Sequence, residues 1–380
     1  VEEYGLEIAG VEVTSANYKD LTNIIGVTGK VRYDPLLRTL FLTDATINGG
    51  DAAGIVAKGP EHLRCIVEGT VSVTSKAKSA LQFYKDSSIV GSGKLIAKNE
   101  TGATISLTSQ LFIGCTLEAE GGDWAISRVE TTSKLLTGKL NIVYASVTLK
   151  SRSYTICDLA DFTLVGGEIT SPAGAVWNAD KHALCDASGN KISGEVVITP
   201  FKRYGLQIAG VEVDSENYSD LTDIPGVTGK VSYDPDSHTL TLEDATIEVE
   251  GMEEGIWAED GDLSCVVKGT VNISSNYAAM VFSNKTTIKG DGRLILKSQA
   301  ESAIGLFEKS SLVIDGCTVY AEGYDGIVGN YAMFSESLTI RNASVTAKGI
   351  NGSITNLGAF KLEGCEITKP AGAVWNADKH

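Results

Sequence analysis

The sequence predicts an all-β protein made of two tandem right-handed parallel β-helices, or β-solenoids, each with a small β cap. The chain is internally duplicated: Tyr4–Val13 (YGLEIAGVEV) recurs as Tyr204–Val213 (YGLQIAGVEV), and Pro172–His182 recurs unchanged as Pro370–His380. Inside each copy, a shorter repeat of about 22 to 30 residues is typical of a solenoid. Glycine is abundant and proline scarce, 41 and 7 of 380 residues, which favours many short strands joined by tight turns.

Each copy begins with a segment that lacks the short repeat, at about residues 4–35 and 204–235. These segments alternate like strands and contain the turn sequence Tyr-Asp-Pro, at residues 33–35 and 233–235. Because the end of a solenoid would otherwise expose its apolar core, we expect both segments to cap the coils that follow.

The coils follow at about residues 39–171 and 239–369. In the second copy the repeat has its apolar core at Leu240–Ile247, Leu312–Val319, Leu338–Val345 and Phe360–Ile367. Most of these runs are followed by another short strand, marked by Ile256, Ile304, Ile327 and Ile354. Three short strands separated by Gly, Asn and Asp turns make one coil of a β-helix.

Alternation with a period of two assigns the inward face of each coil. It places Ala245, Ile247, Val249, Cys317, Val319, Ala321, Ala343, Val345 and Ala347 in apolar ladders. Cys115 and Cys317 occupy slots that hold Ala or Gly in other coils, so we predict buried, unpaired thiols. The seven cysteines are an odd number and show no CxxC or Cys/His metal spacing, so no metal site is predicted.

The outward face carries a column of polar residues in the same chemical order in both copies. It runs through Thr46, Thr70, Lys94, Thr116, Ser146 and Glu168 in the first copy, and Thr246, Thr270, Arg293, Thr318, Ser344 and Glu366 in the second. These hydroxyls and charges could hydrogen-bond a sugar chain. They could equally be a solvated strand face, since Thr suits exposed strands.

The duplication sets the domain organisation as residues 1–182 and 201–380, joined by residues 183–200. Apolar runs around the turn Ser188-Gly189-Asn190 predict that the joining segment is a β-hairpin.

The formal net charge of −16 excludes several classes of partner. Nucleic acid requires clustered Lys and Arg, and anionic membranes or acidic polysaccharides would be repelled unless a cation bridged them. No run approaches the roughly 18 apolar residues of a membrane span, so direct membrane insertion is not expected. The chain starts within a strand-like segment and shows no signal peptide, which fits an exported protein with its signal removed and fits a cytoplasmic protein equally.

The motifs at residues 4–17 and 204–217, with Val-x-Tyr-Asp-Pro and Thr-Leu-x-Leu-x-Asp-Ala-Thr-Ile, resemble surface proteins of anaerobic gut bacteria. Those proteins carry right-handed β-helix repeats and are often labelled carbohydrate-binding. The resemblance covers nearly the whole chain and brings no catalytic signature. It implies a bacterial protein that is secreted or displayed at the cell surface and binds carbohydrate without modifying it.

Two other functions stay open: a structural or adhesin spacer, and a polysaccharide lyase or glycosidase on the same scaffold. Glycosidases need two carboxyl groups about 5 to 10 Å apart. Along the outward column, Glu168 is three coils from Lys94, about 14 Å at the usual strand spacing. This distance is too long for the two side chains to act together as acid and base. The four histidines form no nucleophile motif or metal spacing, so no catalytic residue is predicted and a non-enzyme is favoured.

Aromatic residues that break the duplication suggest where a glycan would bind. Trp124 and Trp257 have no aromatic counterpart in the other copy, nor do Tyr320, Tyr324 and Tyr331. With the polar residues Thr318, Thr346, Lys94 and Arg293 they form the predicted carbohydrate-binding set, although the aromatics could also be local core. The acidic chain favours a neutral glycan, or one bridged by Ca²⁺, but the sequence indicates no cofactor, Ca²⁺ included.

Overall fold

The computed structural model describes residues 1–59, 61–129 and 135–378, and in these ranges the regular secondary structure is β-strand alone. The chain folds into two compact units, Val1–Phe201 (unit 1) and Lys202–His380 (unit 2). His380, the last residue of the predicted second copy, lies outside the described residues.

Unit 1 contains strands β1 to β20. They are β1 (Glu3–Ile8), β2 (Val11–Thr14), β3 (Val27–Asp34), β4 (Thr39–Asn48), β5 (Ile55–Ala57), β6 (Leu63–Glu68), β7 (Thr70–Ser75), β8 (Leu81–Phe83), β9 (Ser87–Asn99), β10 (Ala103–Leu107), β11 (Gln110–Glu120), β12 (Trp124–Arg128), β13 (Lys139–Val143), β14 (Val147–Ser151), β15 (Tyr154–Ile156), β16 (Asp161–Val165), β17 (Gly167–Ser171), β18 (Val176–Asn178), β19 (Ala183–Cys185) and β20 (Gly194–Pro200).

Unit 2 contains strands β21 to β36. They are β21 (Arg203–Ile208), β22 (Val211–Asp214), β23 (Val227–Asp234), β24 (Thr239–Val249), β25 (Ile256–Ala258), β26 (Leu263–Lys268), β27 (Thr270–Ser275), β28 (Met280–Phe282), β29 (Lys285–Lys289), β30 (Arg293–Ser298), β31 (Ser302–Leu306), β32 (Ser311–Asp315), β33 (Thr318–Val328), β34 (Ser337–Arg341), β35 (Ser344–Thr355) and β36 (Ala359–Glu363).

Parallel pairing stacks these strands into three ladders per unit, which gives a right-handed β-solenoid and confirms the predicted fold class. In unit 2 the first ladder comprises the start of β24 and then β26, β29, β32, β34 and β36. The second comprises the end of β24, then β27, β30 and the first halves of β33 and β35. The third comprises β25, β28, β31 and the second halves of β33 and β35. Unit 1 repeats this plan.

The corner between the first and second ladders requires a residue with positive φ in most coils. Unit 1 places Asp44, Gly69, Gly91, Tyr144 and Gly166 there, and unit 2 places Asp244, Gly269, Gly290, Gly316, Asn342 and Gly364. Gly, Asn and Asp tolerate this left-handed conformation better than other residues, which is why they recur at the period of the coil.

Inward-facing residues of the three ladders form one apolar core in each unit. Ala245, Ile247, Val319 and Ala321 are buried as predicted, whereas Val249, Ala343, Val345 and Ala347 are only partly buried. The prediction of buried, unpaired thiols at Cys115 and Cys317 is confirmed. Burial raises the pKa of Cys115 to about 12 and that of Cys317 to about 11.

The N-terminal end of each solenoid is closed by antiparallel strands. In unit 1, β1 pairs with β5 and β2, and β3 pairs with β4. Tyr4 packs between Tyr18 and Tyr33, with ring centroids 6.0 and 5.5 Å away. Unit 2 builds the same cluster from Tyr204, Tyr218 and Tyr233. The duplicated cap motif therefore shields the first coil.

In the segment that joins the copies, the hairpin turn predicted at Ser188-Gly189-Asn190 forms, since an antiparallel bridge joins Cys185 to Lys191 across it. β19 pairs with β18, and the turn at residues 186–190 is held by a hydrogen bond from the amide of Asp186 to the carbonyl of Asn190. β20 does not pair with β19 but lies antiparallel between β14 and β17. In unit 2, residues 364–369 form no strand, so the predicted coil strand at Glu366-Ile367 is wrong.

Candidate functional site

The outward column exists for four coils of each unit, but its predicted ends are wrong. In unit 2 the pairing register aligns Thr270, Arg293, Thr318 and Ser344. Thr246 pairs with Asn272 instead of Thr270, and Thr46 likewise pairs with Ser72. Glu168 is separated from the column because β20 intervenes between β14 and β17. A residue count from coil to coil missed these register changes because turn lengths vary.

Three rows of side chains cross the outward face of the second ladder in unit 2. Thr318 has Arg293 and Ser344 beside it. Two residues along the strands, Tyr320 has Ile295 and Thr346 as neighbours, and two further on, Glu322 lies between Lys297 and Lys348. Adjacent strands in a sheet are about 4.8 Å apart, so the structure brings the predicted residues Arg293, Thr318, Tyr320 and Thr346 together.

A groove runs along the corner between the second and third ladders in both units, and we call it the corner groove. In unit 2 it has a volume of about 670 Å³, and its lining includes Lys297, Glu322, Tyr324, Lys348 and Ile350. In unit 1 the corresponding groove has a volume of about 580 Å³ and carries Gly122 and Arg152 in place of Tyr324 and Ile350. Tyr324 is 46% exposed, so its ring is available to a ligand in the unit 2 groove.

Hydrogen bonds link the rim of this groove to the row above it. The hydroxyl of Tyr320 donates to a carboxylate oxygen of Glu322 at 2.9 Å, and the ammonium of Lys348 donates to the other oxygen. The bond from Lys348, followed by the bond from Tyr320, lowers the pKa of Glu322. The bond to Glu322 raises the pKa of Tyr320. Glu322 is therefore a carboxylate at neutral pH, and the Tyr320 hydroxyl is tied to it.

Arg293 is available to a ligand because unit 2 has Tyr320 where unit 1 has a glutamate. In unit 1 the position of Tyr320 is occupied by Glu118, and its carboxylate lies 2.6 Å from the ammonium of Lys94. Arg293 is the counterpart of Lys94, and its guanidinium makes no hydrogen bond or ion pair with any described side chain. Lys94 therefore serves a cross-strand ion pair, whereas Arg293 remains free to bind.

Tyr331 reaches the same region from the loop that follows β33. Its hydroxyl donates to the buried carboxylate of Asp325 at 2.8 Å, and the side-chain amide of Asn351 donates to the other oxygen at 3.1 Å. The bond to Asp325 raises the pKa of Tyr331 to about 12. Asp325 directly follows Tyr324, so this pair of hydrogen bonds supports the wall beside the groove. Tyr331 is 59% exposed and keeps a free ring.

Three predicted site residues lie elsewhere. Trp257 is in β25, where it pairs with Gln207 and Val281, so it belongs to the third ladder. Three coil spacings separate it from β33, about 14 Å. Trp124 and Lys94 belong to unit 1, where Trp124 pairs with Tyr154 on the third ladder. The site is therefore smaller than predicted and is confined to the end of unit 2.

Sequence reasoning missed the charged residues of the groove. Lys297, Glu322 and Lys348 form an alternating column in successive coils, and Lys98, Glu120 and Lys150 form the same column in unit 1. The Lys98 ammonium lies 2.8 Å from Glu120. This repeated Lys-Glu-Lys order at one outward position in both copies was the available signal.

The chain matches no family model, no curated protein and no solved structure. In the described ranges, no group of three or more His, Cys, Asp or Glu residues is placed to hold a metal ion. No described helix is long and apolar enough to cross a membrane. Function is therefore inferred from the geometry of the corner groove.

Proposed function

We propose that the protein is a secreted or cell-surface, non-catalytic carbohydrate-binding module of bacterial origin, and that unit 2 binds a neutral glycan along its corner groove. The observation that carries this proposal is the exposed ring of Tyr324 in the unit 2 groove, where unit 1 has Gly122. An exposed aromatic ring stacks on the apolar face of a sugar, and polar groups around it fix the orientation.

The chemistry around Tyr324 suits a polyhydroxylated ligand without net charge. Glu322 accepts hydrogen bonds, Lys297 and Lys348 donate them, and Ser274 can do both. Since carboxylate and ammonium groups alternate along the groove, neither an anionic nor a cationic polymer would match it throughout. A sugar hydroxyl is both a donor and an acceptor, so a neutral glycan can use every one of these groups.

The row above the groove offers further contacts. Thr318 and Thr346 are exposed hydroxyls on neighbouring strands, and the unpaired guanidinium of Arg293 lies beside Thr318. A chain of sugars that follows the stacked coils would meet Tyr324 at the groove and these groups along the strand face. This arrangement predicts an extended ligand with several weak contacts.

A glycan-array screen of the intact chain tests the proposal, with Tyr324→Ala as the informative variant. We expect Tyr324→Ala to weaken binding about tenfold, because truncation of a central aromatic contact costs on the order of 1.4 kcal/mol. Tyr154→Ala in unit 1 is a matched control, since Tyr154 is 41% exposed yet lies outside the unit 2 groove. The control should bind like the parent.

The two failures of this test have different meanings. If the parent recognises glycans and Tyr324→Ala binds them equally well, the assignment to the corner groove is wrong. If the parent recognises no glycan, carbohydrate binding itself is wrong, and a structural spacer becomes the favoured function.

A further inference from the structure

The outward face of the first ladder differs between the two units. In unit 1, one outward position carries an apolar residue or glycine in six successive coils. The residues at this position are Phe41, Ile66, Val90, Gly114, Val143 and Val165. The ring of Phe112 lies over Gly114, since a Cβ on Gly114 would be 3.0 Å from its Cε1 atom. We call these six residues and Phe112 the apolar stripe.

Unit 2 has mostly charged residues at the same outward position. The aligned residues are Thr241, Val266, Lys289, Asp315, Arg341 and Glu363. The guanidinium of Arg341 lies 3.7 Å from the carboxylate of Asp315 and 2.5 Å from that of Glu363, so these three side chains form a chain of ion pairs. The same strand position therefore suits water in unit 2, whereas unit 1 presents apolar side chains there.

The apolar stripe is accessible along its length. Val165 is 46% exposed, and the other side chains of the stripe are partly exposed. At the first coil, the guanidinium of Arg32 lies 3.7 Å from the centre of the Phe41 ring. A contiguous apolar surface that remains exposed to water marks a site of association.

We infer that the apolar stripe is the interface of a weak dimer, in which the stripe of one copy of this chain packs on the stripe of a second copy. A twofold axis brings one surface patch onto itself. If this axis runs parallel to the solenoid axis, each coil meets the same coil of the second copy. A residue on one side of the stripe then faces the residue on the opposite side of the stripe in the second copy.

The charges beside the stripe match this arrangement. Arg64 lies two residues before Ile66 and Glu68 two residues after it, and both charged side chains are exposed. On the antiparallel strand β3, Asp34 lies on the Arg64 side of the stripe. Lys30 lies on the Glu68 side. Each basic residue therefore faces a carboxylate of the second copy, and this self-complementarity favours a second copy over an uncharged apolar ligand.

The size of the face predicts that the dimer is weak. The face is formed by β3, β4, β6, β9, β11, β13 and β16. Seven strands about 4.8 Å apart and about 16 Å long present about 550 Å² per copy. Two copies would bury about 1,100 Å² in total, just above the roughly 1,000 Å² that a specific interface needs and below the roughly 1,600 Å² of a standard one. We therefore expect a reversible dimer with a micromolar dissociation constant.

Sedimentation equilibrium of the full chain, from micromolar to near-millimolar concentration, tests this inference. Ile66→Lys should weaken the dimer more than about 100-fold, because an unpaired ammonium would be buried against its own copy across the twofold axis. Val266→Lys is the matched control, since it places the same residue at the counterpart position of unit 2 and should leave the dimer unchanged. Both variants change an outward position and should retain the circular dichroism spectrum of the parent.

A charge swap tests the orientation of the two copies. Arg64→Glu should weaken the dimer about tenfold, because it would place two carboxylates opposite each other on both sides of the axis. The double variant Arg64→Glu/Glu68→Arg exchanges the two charges and should restore the dissociation constant of the parent.

Four results would overturn the inference. The first is a parent chain that stays monomeric at near-millimolar concentration, and the second is a dimer that Ile66→Lys leaves intact. The third is an equal loss of the dimer in Val266→Lys. The fourth is a double charge variant that dimerises as weakly as Arg64→Glu. A monomeric parent whose binding to a glycan is lost in Ile66→Lys would make a glycan the occupant of the stripe.

Discussion

The corner between the first and second ladders allows a quantitative test of the fold at Gly69. Its φ of +62° is left-handed, and a Cβ at this position would lie 2.0 Å from Oδ1 of Asp44. That oxygen accepts the backbone N–H of Thr70 at 3.1 Å. Gly69→Ala therefore adds backbone strain and forces the Asp44 carboxylate away from the amide that it binds.

The two costs can be summed. An L-residue in the left-handed region costs about 1 to 2 kcal/mol. A lost hydrogen bond to a charged group costs about 1.5 to 3 kcal/mol. We expect Gly69→Ala to lower the free energy of unfolding by about 2.5 to 5 kcal/mol, measured by urea denaturation. Gly102→Ala is the control, because Gly102 has a φ of +72° but nothing within 4 Å of its Cβ position, so only the backbone cost applies.

A double-mutant cycle with Asp44→Gly separates the two terms. Removal of the carboxylate also removes the clash, so the double variant should lose the hydrogen bond once and not twice. The two single costs should then exceed the cost of the double variant by about 1.5 to 3 kcal/mol. Strict additivity, or equal costs for Gly69→Ala and Gly102→Ala, would refute the proposed clash.

Three further predictions concern buried groups. With a thiol reagent at pH 8, only Cys365 should react in the native protein, because it is partly exposed, whereas burial raises the pKa of Cys317 to about 11. Cys317→Ala should lower the free energy of unfolding by only about 1 kcal/mol. Glu336→Gln should destabilise the loop before β34 at pH 7, measured by hydrogen exchange. Burial opposes ionisation of Glu336, but backbone and side-chain hydrogen bonds outweigh it and lower its pKa, so its stabilisation is present at neutral pH and disappears on acidification. Phe282→Ala and its unit 1 counterpart Phe83→Ala should each cost about 3 to 5 kcal/mol in urea denaturation, since both side chains are fully buried.

Each of these has an outcome that contradicts it. Rapid native labelling of Cys317, or a disulfide found by mass spectrometry, would contradict its burial as an unpaired thiol. If Glu336→Gln retained the parent's loss of stability on acidification, another carboxylate would be responsible. A cost below about 1 kcal/mol for either phenylalanine would mean that the site collapses after truncation.

The site illustrates which kinds of information a repeat sequence carries. Unmatched aromatics pointed to Tyr320 and Tyr324, because a difference between two copies is visible without any structure. The same criterion also selected Trp124 and Trp257, which lie on the third ladder of each unit. A repeat map gives the position of a residue along its coil, but it does not show which residues of neighbouring coils share a groove.

The sequence alone determined the coil: the alternation of apolar residues, the turn residues with positive φ, and the inward slots of Cys115 and Cys317. These features are local, since the two-residue period of a strand and the tolerance of Gly, Asn and Asp for left-handed φ act within a few residues. Tertiary structure decided the pairing of Thr46 with Ser72, the insertion of β20 between β14 and β17, and the hydrogen bond from Tyr320 to Glu322. Register depends on the length of every turn and on bulges, and an added strand is drawn from a distant segment, so neither is encoded in the spacing of one coil.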